Sequence, residues 1–145
     1  KELDKWFIVF HTRFPSRGEY FTMRVHQMFF NSEGWPVIAP LPYGGEKIQI
    51  LNKSDIIGEY FLINHGKDIS ADIKTPLNIL LKEDGNISGE LNGKWEVREN
   101  FIKLTFEGEE YNGVILSQWN LHTMKKTITF SCLSKKGISV WGIKK

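Results

Sequence analysis

The side chains in this sequence with the most chemistry to offer are four histidines, one cysteine and five tryptophans. His11, His26, His65 and His122 are spaced so that no two share one face of one element. A zinc site needs several His or Cys ligands converging at set spacing, and Cys132 alone supplies neither that nor a disulfide within the chain. His11 interrupts the apolar run 6–14, where a buried imidazole needs a hydrogen-bonding partner or a ligand. For all four histidines the ordinary reading is a structural, hydrogen-bonded ring. No Gly-x-Ser-x-Gly turn is present to hold a nucleophile, and Cys132 sits in a strand-like run as a small hydrophobe. Gly44-Gly45 opens no helix that would cradle a phosphate. Carboxylates are plentiful, but Glu83, Asp84, Glu107, Glu109 and Glu110 fall in turn segments, where they are solvated rather than paired for acid–base work. The residues themselves point to no catalytic set.

The tryptophans leave two readings open. Trp6 lies in an apolar run and is expected in the core, whereas Trp35, Trp95, Trp119 and Trp141 sit at strand ends or beside glycines and polar residues. An exposed indole stacks on the apolar face of a sugar ring, which makes Trp95 and Trp119 the candidates for carbohydrate binding. The alternative is that tryptophans simply fill a small barrel.

Strands must position these groups, because the hydrophobic pattern has a period near two almost throughout. Strands are expected over residues 6–14, 21–30, 35–39, 57–64, 76–82, 88–96, 101–106, 111–118, 127–131 and 138–143. The first is apolar on both faces and reads as a central strand covered on both sides. Pro36 places the third at an edge. These three form a meander too small to stand alone. Pro40-Leu41-Pro42-Tyr43-Gly44-Gly45 then marks a boundary, dividing the chain into residues 1–46 and 47–145. Beyond it, short strands separated by turn signals such as Glu83-Asp84-Gly85-Asn86 and Lys135-Lys136-Gly137 predict an antiparallel barrel of about six to eight strands. Only 55–59 and 119–124 leave room for a helical turn. Strands 101–106 and 127–131 each carry one polar and one apolar face, as a closed antiparallel sheet requires.

Composition excludes several classes of protein. The 145 residues are 41% hydrophobic and 25% charged, close to globular averages. Nineteen basic against seventeen acidic residues give +2, too balanced for an electrostatic nucleic-acid binder. No apolar run approaches the roughly 20 residues of a membrane-spanning helix. The sequence opens on Lys1, so it reads as a mature or excised piece.

One stretch carries a family signature. Phe7-Ile8-Val9-Phe10-His11-Thr12-Arg13-Phe14-Pro15, Arg17-Gly18-Glu19, the segment Met23 through Asn31, Gly34-Trp35-Pro36-Val37, Ala39-Pro40 and Gly44-Gly45-Glu46 together resemble the last-blade region of family 43 endo-α-1,5-L-arabinanases. Gly58-Glu59-Tyr60, Ile63-Asn64-His65-Gly66 and Trp141-Gly142 are similar to the lipocalin-like barrel that some of these five-bladed β-propeller enzymes carry at their C-terminus. The resemblance implies an all-β chain: a small lipocalin-like barrel preceded by a partial propeller blade. It implies a non-catalytic part of a secreted arabinan-degrading hydrolase that buttresses the missing propeller portion, binds arabinan or a related plant polysaccharide, or does both. The carboxylates of the inverting reaction would lie upstream of Lys1, so no activity is expected of this chain alone. His11 would sit beside a calcium ion in the intact enzyme only, with no metal expected in this piece. A competing reading is a lipocalin-like binder of a small molecule. Phe101, Phe106 and Phe130, expected to point inward and fill the barrel, argue against it.

Overall fold

In a computed structural model, which describes residues 5–13, 18, 20–69 and 73–145, the alternating segments form two antiparallel sheets. The first holds β1 (Trp6–Arg13), β2 (Phe21–Phe30) and β3 (Pro36–Ile38), in that order. Trp6 faces Met28 and Arg13 faces Phe21 across the β1–β2 ladder. Strand β1 is therefore an edge and β2 the centre, contrary to the expectation from the apolar run. Trp6 and Val9 are 57% and 60% exposed, so Trp6 is not a core residue. Periodicity reports which residues are apolar; it does not report what covers them. Pro36 does lie in an edge strand, where its missing N–H interrupts no inner ladder. The signature residues Phe14, Pro15, Arg17 and Glu19 lie outside the described residues.

The second sheet is a closed barrel of eight strands: β4 (Gly58–Asn64), β5 (Leu77–Leu81), β6 (Asn86–Gly89), β7 (Gly93–Arg98), β8 (Phe101–Phe106), β9 (Glu109–Asn120), β10 (Lys125–Ser134) and β11 (Ser139–Lys144). Each pairs with the next, and β11 closes on β4. A barrel of this size is just wide enough for side chains to fill. Tyr60, Trp95, Phe106, Tyr111 and Phe130 do so, together with aliphatic residues such as Leu62, Ile102 and Ile115. One helical turn, α1 (Lys53–Ile56), adds a fully buried Ile56, whose carbonyl accepts a 2.7 Å hydrogen bond from the Tyr60 hydroxyl. Gly142 is needed where it stands, since a Cβ there would lie 2.1 Å from the Phe130 ring.

Two expectations are corrected. Residues 88–96 are not one strand; β6 ends at Gly89 and β7 begins at Gly93, because Gly89 has φ near 119° and turns the chain. Phe101 lies on the outer face of β8, 39% exposed, while Ile102, Leu104 and Phe106 point to the core.

Strands β9 and β10 depart from the rule of one wet face. On β9, Tyr111 and Ile115 belong to the barrel core, yet the alternate residues Asn112, Val114, Leu116 and Gln118 are also buried. On β10, Thr129 and Ser131 are fully buried opposite the core side. The three-stranded sheet covers them.

Candidate functional site

The seam between the small sheet and the barrel gathers the most specific polar geometry among the described residues. Its apolar part is short: Val37 and Ala39 pack on Val114 and Leu116, flanked by Phe29 and Leu133. Its polar part is a clamp on β9. The Gln118 side chain accepts from the Leu41 N–H and donates to the Leu41 carbonyl, both at 3.1 Å, so it pairs with the backbone as a neighbouring strand would. Gln118 is 1% exposed, and its Oε1 also accepts a 2.8 Å hydrogen bond from the buried Thr129 hydroxyl. Further along, Glu46 accepts from the N–H groups of Gly44 and Trp119, each at 2.9 Å. At the other end Asn31 ties the β2–β3 turn to the barrel. Its Oδ1 accepts from Glu33 and Trp35 N–H, and its Nδ2 donates to the Asn112 carbonyl at 3.1 Å. Both the oxygen and the nitrogen of each of these buried amides have partners, which specifies one docking geometry, because a shift would break several hydrogen bonds at once.

Aromatic contacts extend the seam to β11. The His26 ring, 4% exposed, lies 6.2 Å from Trp141 in a stacked arrangement, and His26 Nδ1 is 2.7 Å from the Ala39 carbonyl. His65 meets Trp141 edge-on at 4.6 Å, and the lost hydration pushes its imidazole below the ordinary histidine value. His26 is thus the histidine that fits the structural reading most fully.

The residues nominated from sequence fare differently. His11 is exposed on the small sheet, its ring edge-on to Phe21 at 5.2 Å and its register partner Met23. Among the described residues no three His, Cys, Asp or Glu side chains cluster to hold a metal. Trp95 is 4% exposed within the barrel core and donates its indole N–H to the Lys82 carbonyl at 2.9 Å. It offers no free face, and the nomination of Trp95 as a sugar platform is corrected. Reading 88–96 as one strand hid the inward alternation of Gly93, Trp95 and Val97. Trp119 is half-buried beside a cleft of about 360 Å³ lined by Glu46, Lys47, Gln49 and Lys126. Sequence reasoning missed Asn31, Glu46, Asn112 and Gln118. Only Glu46 had a visible cue, its place at the end of the Pro/Gly-rich boundary.

A second opening lies beside the clamp. A groove of about 680 Å³ runs over the outer face of β7 and β8, bounded by the β2–β3 turn and Asn112.

A closed eight-stranded antiparallel barrel with consecutive strand order defines a lipocalin-like domain. Residues 40–142 match the C-terminal lipocalin-like domain of glycoside hydrolase family 43, and the chain belongs to that family. It is 50% identical to an extracellular endo-α-(1→5)-L-arabinanase of Thermotoga petrophila, over 99% of this chain and 31% of the relative. It is also 50% identical to extracellular endo-α-(1→5)-L-arabinanase 2 of Bacillus subtilis, over 95% of this chain and 30% of the relative. Among solved structures, a family 43 glycoside hydrolase from Bacillus licheniformis superposes with a TM-score of 0.95 at 48% identity, covering 99% of this chain and 33% of that one. The Thermotoga petrophila endo-1,5-α-L-arabinanase superposes with a TM-score of 0.94 at 50% identity, covering 97% and 32%. The chain thus spans about a third of the length of these relatives and corresponds to their C-terminal portion.

Proposed function

We propose that this chain is the non-catalytic C-terminal portion of an extracellular arabinan-degrading glycoside hydrolase, in which the barrel holds the last blade of a propeller in place. One observation carries the reading. The small sheet is clamped to the barrel along β3 and Leu41, yet Val9, Phe21 and Met23 remain exposed on it beside β1, which pairs with no strand but β2 among the described residues. An apolar patch next to an open strand edge is a surface for another chain segment, and leaving it bare invites aggregation. The occupant favoured is the remaining two thirds of the length the relatives have, which the family resemblance makes the rest of a propeller. It would supply the carboxylate that activates water and the acid that protonates the leaving oxygen. His11, on the exposed sheet, would offer one imidazole to calcium in a shell otherwise built from outside this chain. The extracellular location follows the relatives' names; no helix among the described residues is long and apolar enough to cross a membrane. Binding of plant polysaccharide by the barrel is a second, compatible role.

The small-molecule reading is less favoured, because Tyr60, Phe106, Tyr111 and Phe130 occupy the barrel interior where a lipocalin ligand would sit. A chimera tests the main reading. In the Thermotoga petrophila arabinanase, the matching third is replaced by this chain, and activity on linear arabinan is compared with the same enzyme truncated before that third. The chimera is expected to be active and to melt in one transition, while the truncated enzyme loses both properties. A truncated enzyme of full activity and stability would refute buttressing.

A further inference from the structure

We propose that the groove over β7 and β8, closed at one side by the β2–β3 turn, binds a short neutral oligosaccharide. Asn112 is only 9% exposed, its carbonyl accepts from Asn31 Nδ2, and its carboxamide, with no protein partner among the described residues, reaches the solvent of the groove. A carboxamide so placed keeps a donor and an acceptor that a ligand can meet in place of water. Phe101 lines the same groove and is 39% exposed, so part of its apolar ring is open to solvent there. An aromatic plane beside a fixed amide is complementary to a sugar ring, which has a C–H face and a rim of hydroxyls.

Charge narrows the ligand class. Glu96 is paired with Lys103 at 2.6 Å, and Glu99 offsets Arg98, so the charged lining residues sum to zero. Neither an anion nor a cation finds a surplus of opposite charge, while the ionic groups still donate to and accept from hydroxyls. The volume of about 680 Å³ falls within the roughly 300–1,000 Å³ of small-ligand sites. The cleft beside Trp119 is smaller, and Glu46, its one acidic wall residue, is already committed to Gly44 and Trp119. Because Ser32 comes from the small sheet and Phe101 from the barrel, a ligand in the groove would touch both units.

Only the choice of arabinan as the first probe rests on the reading of the preceding section. The test is a ¹⁵N–¹H NMR titration of the 145-residue chain with linear α-1,5-arabino-oligosaccharides. Xylo- and cello-oligosaccharides run in parallel, with an oligogalacturonide as the anionic control. Shifts are expected at Ser32, Glu96, Arg98, Phe101, Lys103 and Asn112. Phe101→Ala and Asn112→Ala are each expected to weaken binding at least tenfold with an unchanged melting temperature, and Phe101→Tyr to retain it. Response to xylo- or cello-oligosaccharides alone would support the groove and remove arabinan as its ligand. Shifts centred on Glu46, Trp119 and Lys126, or a response to the oligogalacturonide alone, would overturn the groove assignment. Silence with every glycan would overturn it too, and the buttressing role would then stand or fall on the chimera.

Discussion

Replacing Gln118 by Ala should weaken the attachment of the small sheet more than any other single truncation at the seam. Three hydrogen bonds go at once: two with Leu41 and one from Thr129. Leu41 is half-buried, so water replaces part of what its backbone loses, whereas the Thr129 hydroxyl is fully buried and keeps nothing. An orphaned buried polar group costs roughly 1–3 kcal/mol, and the lost pairing with Leu41 adds about 1 kcal/mol, giving a total of about 3 kcal/mol. For a domain of this size that lowers the melting temperature by about 6–12 °C. Hydrogen exchange at the Leu41 amide should accelerate in step, since its acceptor is gone. The diagnostic comparison is a double-mutant cycle with Thr129→Val. In the native background Thr129→Val removes a satisfied hydroxyl and should destabilise by about 1 kcal/mol. In the Gln118→Ala background it removes an orphan and should be neutral or stabilising. If Thr129→Val costs the same in both backgrounds, or Gln118→Ala costs less than about 0.5 kcal/mol, the clamp does not work as described.

Other variants test the barrel itself. Gly142→Ala would place a methyl 2.1 Å from the Phe130 ring in a fully buried position, and overpacking of that kind should cost about 3 kcal/mol by urea denaturation. Cys132 is buried and free, and burial pushes its thiol up, so Ellman's reagent should find it only after unfolding; modification of the native protein at neutral pH would contradict the packing. The Asp84 carboxylate accepts from the backbone and side chain of Asn86, and Glu90 from those of Asn78, which holds both below the ordinary carboxylate range. Their contribution is therefore complete above the ordinary values near pH 4 and lost as pH falls through the lower folded-state values. Urea midpoints at neutral pH and about pH 3 should differ less for the Asp84→Asn/Glu90→Gln double variant than for the native chain, and an equal difference would remove these turns as a source of acid sensitivity.

What the sequence made legible depended on whether local pattern and tertiary cover agreed. In β8 they agree: Ile102, Leu104 and Phe106 alternate inward, and periodicity alone finds them. Even there Phe101 takes the outer face, against the expectation that a large aromatic fills the barrel. At β6 and β7 an apolar Leu91, buried between the strands, kept the apolar pattern running through a real break. The two glycines that flank the break, Gly89 and Gly93, were the better guide: Gly89 takes a positive φ, and a Cβ at Gly93 would meet the Thr105 carbonyl. The seam lay beyond any local rule. Asn112, Gln118, Thr129 and Ser131 carry the composition of a wet face, yet the small sheet buries them. Polar residues then act as sheet-to-sheet fasteners, with Ser131 Oγ the one buried side-chain polar atom left without a partner among the described residues. The opposite holds on β1, whose apolar faces predict cover that the described residues do not provide. The two misreadings have one cause. Both sides of the small sheet are set by surfaces distant in sequence: the barrel supplies one, and under the proposed function the rest of the propeller supplies the other. On that account the open apolar face of β1 and β2 and the closed polar face of β9 and β10 are two halves of one interface design, and a change that loosens the Gln118 clamp should also shift the blade that rests on it.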